Sequence, residues 1–300
     1  MKHLFLGLSL VTVLLAACGT VDLDAPMPVF DTGADTSKWS VIPAGEFLWS
    51  QHSDPMTIDH DYEMMVHLVT TTQYIEFLNA ALTDGTLKVS DDQVVGFYPG
   101  DKYNFGRHEE RIEAGDWMLF PLSDPALRLT FDGATFAIKE GYENHPMTVV
   151  SWFGARAFCD YYGWRLPTEM EWEKAARGTD GRPFPWGDHI QRNNANYYAS
   201  RDPFEDMSTF GSRTSPAGFY NGQTYGDYVT LDSPSPYGLY DMAGNVWQWT
   251  GDIYEQQHYR YLRGGSKDTY DMDLRAWVRN NATPTYVSPG TGFRCARDVK

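Results

Sequence analysis

Hydrophobic positions first recur at helical spacing shortly after residue 70. Thr70 is a residue type that caps helices, and Gln73 stands where a side chain can bond back to the cap. Tyr74, Phe77 and Leu78 then form one apolar face at the period of a helix. The pattern therefore predicts a helix that begins at Thr70.

Two further helices are predicted in the centre of the chain. Ser151 precedes apolar positions at helical spacing that end near Gly163, which is a common residue after a helix. The next helix is expected to begin at Thr168, because Thr168 and Glu171 have the spacing of a capping box. Gly178 is expected to end that helix.

Elsewhere the apolar pattern breaks into short runs of the kind that strands and turns produce. Residues 39–47 predict a strand interrupted by a proline-containing turn, and residues 128–131 and 134–139 predict two more short strands. Residues 84–144 hold only such runs, so we interpret them as an elaboration on one domain. That domain is predicted to cover residues 39–300.

The N-terminus has the parts of a bacterial lipoprotein signal. Lys2 precedes an apolar run at residues 4–14, and Cys18 follows directly after Leu-Ala-Ala. The run is shorter than the roughly 20 residues that a membrane-spanning helix needs. Residues 1–17 are thus predicted to be a signal peptide and Cys18 a lipidated residue; an ordinary signal peptide or a buried helix is the alternative. Gly19, where aspartate would resemble an inner-membrane retention signal, favours the outer membrane.

The charge of the chain restricts how it can meet a membrane or a nucleic acid. Lys plus Arg number 24 and Asp plus Glu 40, a net charge of −16. This balance argues against binding nucleic acid and against electrostatic attraction to anionic lipid. Membrane attachment is therefore expected to come from acyl chains. Residues 18–38, which hold prolines and aspartates without periodicity, are predicted to be a flexible tether between lipid and domain.

The cysteine count fits lipidation. Three cysteines would leave an odd thiol in a secreted protein. With Cys18 lipidated, Cys159 and Cys295 remain as a possible pair in an oxidising compartment. Two separate buried thiols are the alternative.

Six sequence blocks, in order, resemble the formylglycine-generating (sulfatase-modifying) enzymes. The blocks are residues 145–152, 165–172, 185–188, 237–250 (YGLYDMAGNVWQWT), 262–266 (LRGGS) and 292–295 (GFRC). The resemblance covers roughly residues 39–297. It implies an α+β fold that is related to C-type lectins and rich in irregular backbone. It also implies a disulfide between Cys159 and Cys295.

Structural calcium is a further implication of the resemblance. One implied site consists of Asp241, the carbonyls of Gly244 and Val246, and the side chain of Gln248. The other consists of Asn196 and the carbonyl of Tyr197, with Asp202 or Asp206 as its acidic ligand. Gln248 stands where the family has an acidic residue, and the lost charge should weaken the first site. A turn held by hydrogen bonds without metal is the alternative there.

The chain departs from the family at the catalytic cysteines. Enzymes that make formylglycine carry two cysteines after Gly-Gly-Ser, and these hold the copper that activates oxygen. Here Thr269 stands in the first position and no cysteine lies near the second. Copper is therefore not expected as a cofactor, since hydroxyl and carboxylate oxygens favour hard cations over Cu(I).

The residues expected around the corresponding cleft suggest a different use. They are Ser266, Asp268, Thr269, Asp271 and Arg275. Carboxylates in this loop could bind a divalent metal or a cationic ligand. A solvated acidic loop is the alternative.

Two functions from different classes follow. The first is a lipoprotein whose domain is a binding or scaffold module for a peptide, a glycan or a partner protein. The second is an oxidoreductase of the same family that uses chemistry without copper. The chain contains no nucleophile elbow, phosphate-binding loop, dinucleotide fingerprint or HExxH motif. The missing cysteines favour the binding module.

Overall fold

Helices and strands are both short in the computed structural model, which describes residues 28–101, 112–205, 213–254 and 258–299. Within these ranges the α-helices are α1 (Thr71–Thr83), α2 (Trp152–Tyr161) and α3 (Glu169–Arg177). Short 3₁₀ helices cover Arg192–Asn194 and Asp271–Leu274. Among the described residues no helix combines the length and apolarity needed to cross a membrane.

The strands are equally short, and they form several small sheets. In chain order, β1 to β16 are Trp39–Ile42, Gly45–Trp49, Asp54–Ile58, Tyr62–Met65, Leu87–Ser90, Gln93–Tyr98, Gly115–Pro121, Leu129–Phe131, Phe136–Ile138, Thr224–Tyr225, Tyr228–Val229, Trp247–Tyr254, Tyr259–Arg263, Arg279–Ala282, Thr291–Gly292 and Ala296–Asp298. The largest sheet has the order β14-β13-β12-β15, and two others have the orders β1-β4-β16 and β5-β6-β7. The remaining pairs are β2–β3, β8–β9 and β10–β11. The predicted α+β class is confirmed.

The helices begin where the local signals predict. Thr70 accepts a hydrogen bond from the backbone N–H of Gln73 and completes a capping box at α1, as Thr168 and Glu171 do at α3. The Ser151 hydroxyl caps α2 in the same way, without the reciprocal bond. Gly178 ends α3 with a φ of 71°, a conformation that glycine adopts without strain.

One large apolar core joins α1 and α2 to the strands around them. Tyr74 of α1 stacks on Phe158 of α2 with 5.7 Å between ring centroids. Phe120 and Phe136, from the predicted elaboration at residues 84–144, pack in the same cluster. The elaboration therefore shares the core of the domain and does not form one of its own.

The predicted tether does not extend to residue 38. Phe30 packs in an aromatic cluster with Phe204, Phe219 and Tyr225, and the Thr32 hydroxyl donates to the carbonyl of Ala217 at 2.8 Å. A flexible tether is thus the wrong interpretation for residues 28–38. The polar composition of the segment predicted flexibility, but Phe30 and Thr32 attach the segment to the domain. The signal peptide and Cys18 lie outside the described residues.

Candidate functional site

The end of β13 positions the loop in which the family carries its cysteines. Arg263, the last residue of β13, is fully buried and donates to Glu169 at 2.7 Å and to Glu173 at 2.5 Å, both on α3. Gly264 and Gly265 follow with φ values of 94° and 72°. Glycine is favoured at Gly265 by its φ of 72°, and a Cβ there would also lie 2.8 Å from a methyl carbon of Leu274 and 3.1 Å from the backbone oxygen of Asp273.

The loop after these glycines closes on itself. The Ser266 backbone N–H donates to the Thr269 hydroxyl oxygen at 2.9 Å, and that hydroxyl donates to the Ser266 carbonyl at 3.0 Å. The ammonium group of Lys267, which is buried, lies 2.6 Å from a carboxylate oxygen of Asp268. Thr269 therefore stabilises the turn at the position where the family has a thiolate.

A cleft of about 440 Å³ opens beside this loop. Its volume is within the usual range for small-ligand sites. The side chains that line it are mostly neutral and polar, with aromatic groups on the wall. They include Ser266, Asp268, Thr269, Asn280, Asn281, Ser288, Trp247 and Tyr286. Three of the five residues predicted for the cleft are thus brought together.

Asp271 and Arg275 do not line this cleft. Both are exposed, and Asp271 begins the 3₁₀ helix that carries the loop away. Asp273 instead accepts a hydrogen bond from the backbone N–H of Tyr270 at 3.3 Å and caps that helix. The acidic residues of this loop therefore do not converge, and the hypothesis of a solvated acidic loop describes Asp271 better.

The opposite wall of the cleft could not be read from local sequence. Asn280 and Asn281 belong to β14 and pair with Leu262 and Tyr261 of β13. Nothing in the residues around Asn280 and Asn281 indicates this register. The one usable signal is Trp247, which belongs to the YGLYDMAGNVWQWT block and reaches the cleft from β12.

The Cys159–Cys295 disulfide is confirmed. The two cysteines are fully buried, their Cα atoms are 5.8 Å apart, and the bond connects α2 to the segment before β16. This separation is ordinary for a disulfide. Since the bond consumes both thiols, neither cysteine supplies a thiolate.

The turn that holds Asp241 does not offer the implied set of calcium ligands. The Gln248 side-chain oxygen accepts from the Trp172 indole N–H at 2.9 Å and from the Arg294 Nε–H at 2.8 Å. Its amide nitrogen donates to the Asp241 carbonyl at 2.8 Å. An amide oxygen has two lone pairs, so Gln248 has none left for a cation. Gln248 therefore does not fit as a ligand beside Asp241, Gly244 and Val246.

At the second implied site, the side-chain oxygen of Asn196 is suited to bind calcium. Asn196 is almost fully buried, and its side-chain oxygen has no hydrogen-bond partner among the described residues. Its amide nitrogen donates to the Arg213 carbonyl at 2.9 Å, which fixes the direction of the free oxygen. Amide and backbone carbonyl oxygens are normal calcium ligands, and the carbonyl of Tyr197 follows in the chain.

The acidic partner of that site is less suited. Asp202 is buried, and its carboxylate accepts from the Ser200 hydroxyl at 3.0 Å and from the Tyr220 hydroxyl at 2.5 Å. Burial raises the pKa of Asp202, and these hydrogen bonds act in the opposite direction. Asp206, the other candidate, lies outside the described residues.

A larger cleft, of about 760 Å³, was not predicted from the sequence. Arg165 forms a bidentate pair with Glu171, with both N–O distances at 2.7 Å, and also contacts Asp298 at 2.7 Å. His60 lies 3.1 Å from Glu171. Burial opposes ionisation of Glu171, but the Arg165 guanidinium holds the pKa of that carboxyl below its usual value. These charges satisfy one another and connect α3 to β16. The sequence feature that could have indicated this cleft is the RLPTE block, which contains Arg165.

Comparison with known proteins places the fold and these blocks in one family. Residues 27–299 match the family model described as the sulfatase-modifying factor enzyme 1-like domain. The chain is 40% identical over 173 residues to inactive C-alpha-formylglycine-generating enzyme 2 from Bos taurus, covering 55% of this chain and 54% of that protein. It is 30% identical over 259 residues to serine/threonine-protein kinase pkn1 from Chlamydia pneumoniae, covering 80% of this chain and 33% of the kinase.

Solved structures agree on the fold. The structure of PvdO from Pseudomonas aeruginosa superposes with a TM-score of 0.54 at 18% identity, covering 92% of this chain and 99% of that one. The chain belongs to the sulfatase-modifying factor (formylglycine-generating enzyme-like) family. The chain spans about a third of the chlamydial kinase and about half of the bovine protein. The activities of those whole proteins are therefore not assigned to this chain.

Proposed function

We propose that this domain is a binding module whose ligand occupies the cleft beside Ser266. The observation that carries the proposal is the lining of that cleft, where hydroxyl and amide groups and two aromatic rings stand in place of a thiolate pair. Such groups orient a polar ligand by hydrogen bonds and stacking, and they supply neither a soft metal ligand nor a redox centre.

A peptide segment of a partner protein fits this cleft better than a glycan. Strands β12, β13 and β14 all contribute to the wall of the cleft, and β14, whose residues Arg279, Asn280 and Asn281 are exposed, is the edge strand of that sheet. An edge strand offers backbone N–H and carbonyl groups to an extended peptide, while neighbouring side chains select its sequence. The similarity to a relative whose name calls it inactive supports a role without catalysis.

The module is proposed to be attached to the outer membrane through a lipid on Cys18. This proposal rests on the residues around Cys18 and on the acidity of the chain. One structural calcium ion is proposed at Asn196 and Tyr197, because the Asn196 side-chain oxygen is buried and unpaired among the described residues. Such an ion would hold two loops together and would not take part in ligand binding.

Replacing Asn280 and Asn281 together with alanine is expected to weaken ligand binding about tenfold or more. Each lost hydrogen bond costs roughly 1 kcal/mol, and about 1.4 kcal/mol is a factor of ten in affinity. Peptides selected from a displayed library and compounds of a glycan array serve as probes, and affinities are measured by calorimetry. Since both side chains are exposed, the melting temperature should stay nearly unchanged.

Asn144→Ala is the matched control, because Asn144 is an exposed asparagine that does not line the cleft. It should bind like the wild type. If the selected ligand binds the double variant and the wild type equally, the cleft is not the binding site. If glycans bind and peptides do not, the preference for a peptide is wrong.

A further inference from the structure

Gln248 occupies a fully buried position where three parts of the chain meet. Its side chain contacts Trp172 of α3, Arg294 of the GFRC block and the backbone of Asp241. The side-chain orientation follows from these neighbours, because an indole N–H and a guanidinium N–H can only donate. The Gln248 oxygen must therefore point at Trp172 and Arg294, and its amide nitrogen at the Asp241 carbonyl.

Arg294 completes the same network. Its guanidinium donates to the carbonyls of Tyr240 at 2.7 Å and Asp241 at 3.1 Å, and to those of Met65 and Val66 at 3.1 and 3.0 Å. The Asp241 carbonyl thus accepts from two side chains. The carbonyl oxygens that converge here already have positively polarised partners from the protein itself.

The charge balance also disfavours a cation at this place. Arg294 is fully buried, and the carboxylate of Asp241 offsets its positive charge. A divalent ion would add two positive charges in a region of low dielectric, where an uncompensated charge is costly. A glutamate at position 248 would supply one negative charge, but glutamine supplies none.

We propose that the Gln248 side chain stabilises this turn in place of a calcium ion: its oxygen, which would otherwise ligate the ion, accepts from Trp172 and Arg294, and its amide N–H group holds the Asp241 carbonyl. In this chain the turn is held by hydrogen bonds without a metal ion. The calcium ion proposed at Asn196 occupies a separate site. A carboxylate at position 248 would place an oxygen about 2.8 Å from the Asp241 carbonyl oxygen, where the amide nitrogen now lies. A cation between the two oxygens, or a proton on the carboxyl group, would relieve that repulsion, and the calcium content distinguishes the two.

Gln248→Glu in the full chain therefore tests the proposal. Without calcium, this variant should melt below the wild type. With calcium at about 100 times its dissociation constant, its melting temperature should rise by roughly 5 °C more than that of the wild type. Metal analysis after equilibrium dialysis should give one more calcium per chain than in the wild type.

Two controls separate this site from other effects of charge and calcium. Gln223→Glu adds the same charge at an exposed position and should leave the calcium content unchanged. Adding Asp241→Asn to Gln248→Glu should remove the extra calcium. If Gln248→Glu binds no additional calcium, or if Asp241→Asn alone removes one from the wild type, the proposal is wrong.

If the variants do not fold, the wild-type crystal structure provides a second test. Crystals grown with calcium chloride should show no cation at the carboxylate of Asp241, where a ligand distance of about 2.4 Å would be expected. A calcium ion bound there would overturn the proposal, even if another ion occupies the Asn196 site.

Discussion

Replacing Cys159 and Cys295 together with alanine is expected to lower the free energy of unfolding by about 5 kcal/mol. The bond closes a loop of 136 residues, and loop closure restricts the unfolded chain more as the loop grows. Domains of this kind are usually stable by about 5–15 kcal/mol, so the variant should be close to unfolding at ambient temperature. Urea denaturation monitored by tryptophan fluorescence measures the change.

The two single variants serve as controls for the cross-link itself. Since either substitution breaks the bond, Cys159→Ala and Cys295→Ala should each lose nearly as much stability as the double variant. Small, additive losses would mean that the two residues contribute only by packing. Full alkylation of both thiols in the native, unreduced protein would also contradict the bond.

Cys18→Ser is expected to move the protein from the membrane fraction to the soluble fraction. The whole chain carries −16, and loss of Lys2 with the signal makes the mature chain more acidic, so charge does not draw it to anionic lipid. Acyl chains supply the attraction instead, at about 0.8 kcal/mol for each buried CH₂ group. Fractionation, with mass spectrometry of the mature N-terminus, measures both the distribution and the modification.

Gly19→Ala, which keeps the cysteine, should leave the protein in the membrane. The wild-type N-terminal peptide should carry acyl chains on Cys18. A free amine on a later residue, or a Cys18→Ser protein that resists extraction from membranes, would show that the anchor is not a lipid on Cys18.

Helix positions could be predicted because their signals are local. Thr70, Ser151 and Thr168 each accept a backbone N–H three residues on, and a cap of this type depends only on the sequence beside it. The disulfide and the family blocks were also accessible from the sequence. The sequence predicted the polar lining of the cleft only at Ser266 and its neighbours.

The remaining parts depend on contacts between distant segments. Asn280 enters the cleft through strand pairing with Leu262, and Phe30 docks on Phe219, nearly two hundred positions further along the chain. The direction of the Gln248 amide is set by Trp172 and Arg294, neither of which is its neighbour in sequence. The sequence gives the residue types at these positions, but it does not show which distant residues they contact.

We propose that this family member binds a ligand and does not perform copper-dependent oxidation. Thr269 and Asp268 offer hard oxygen atoms where Cu(I) requires soft thiolates, and the disulfide withholds Cys159 and Cys295. The cysteine-bearing formylglycine-generating enzyme of a relative is the positive control.

The most direct measurement is to incubate the purified protein with copper and a sulfatase-motif peptide, then look for the aldehyde product by mass spectrometry. We expect no aldehyde and no tightly retained Cu(I), under conditions in which the control enzyme converts the peptide. Formation of the aldehyde by this protein would show that other groups hold the metal and that the domain is not a binding module without copper chemistry.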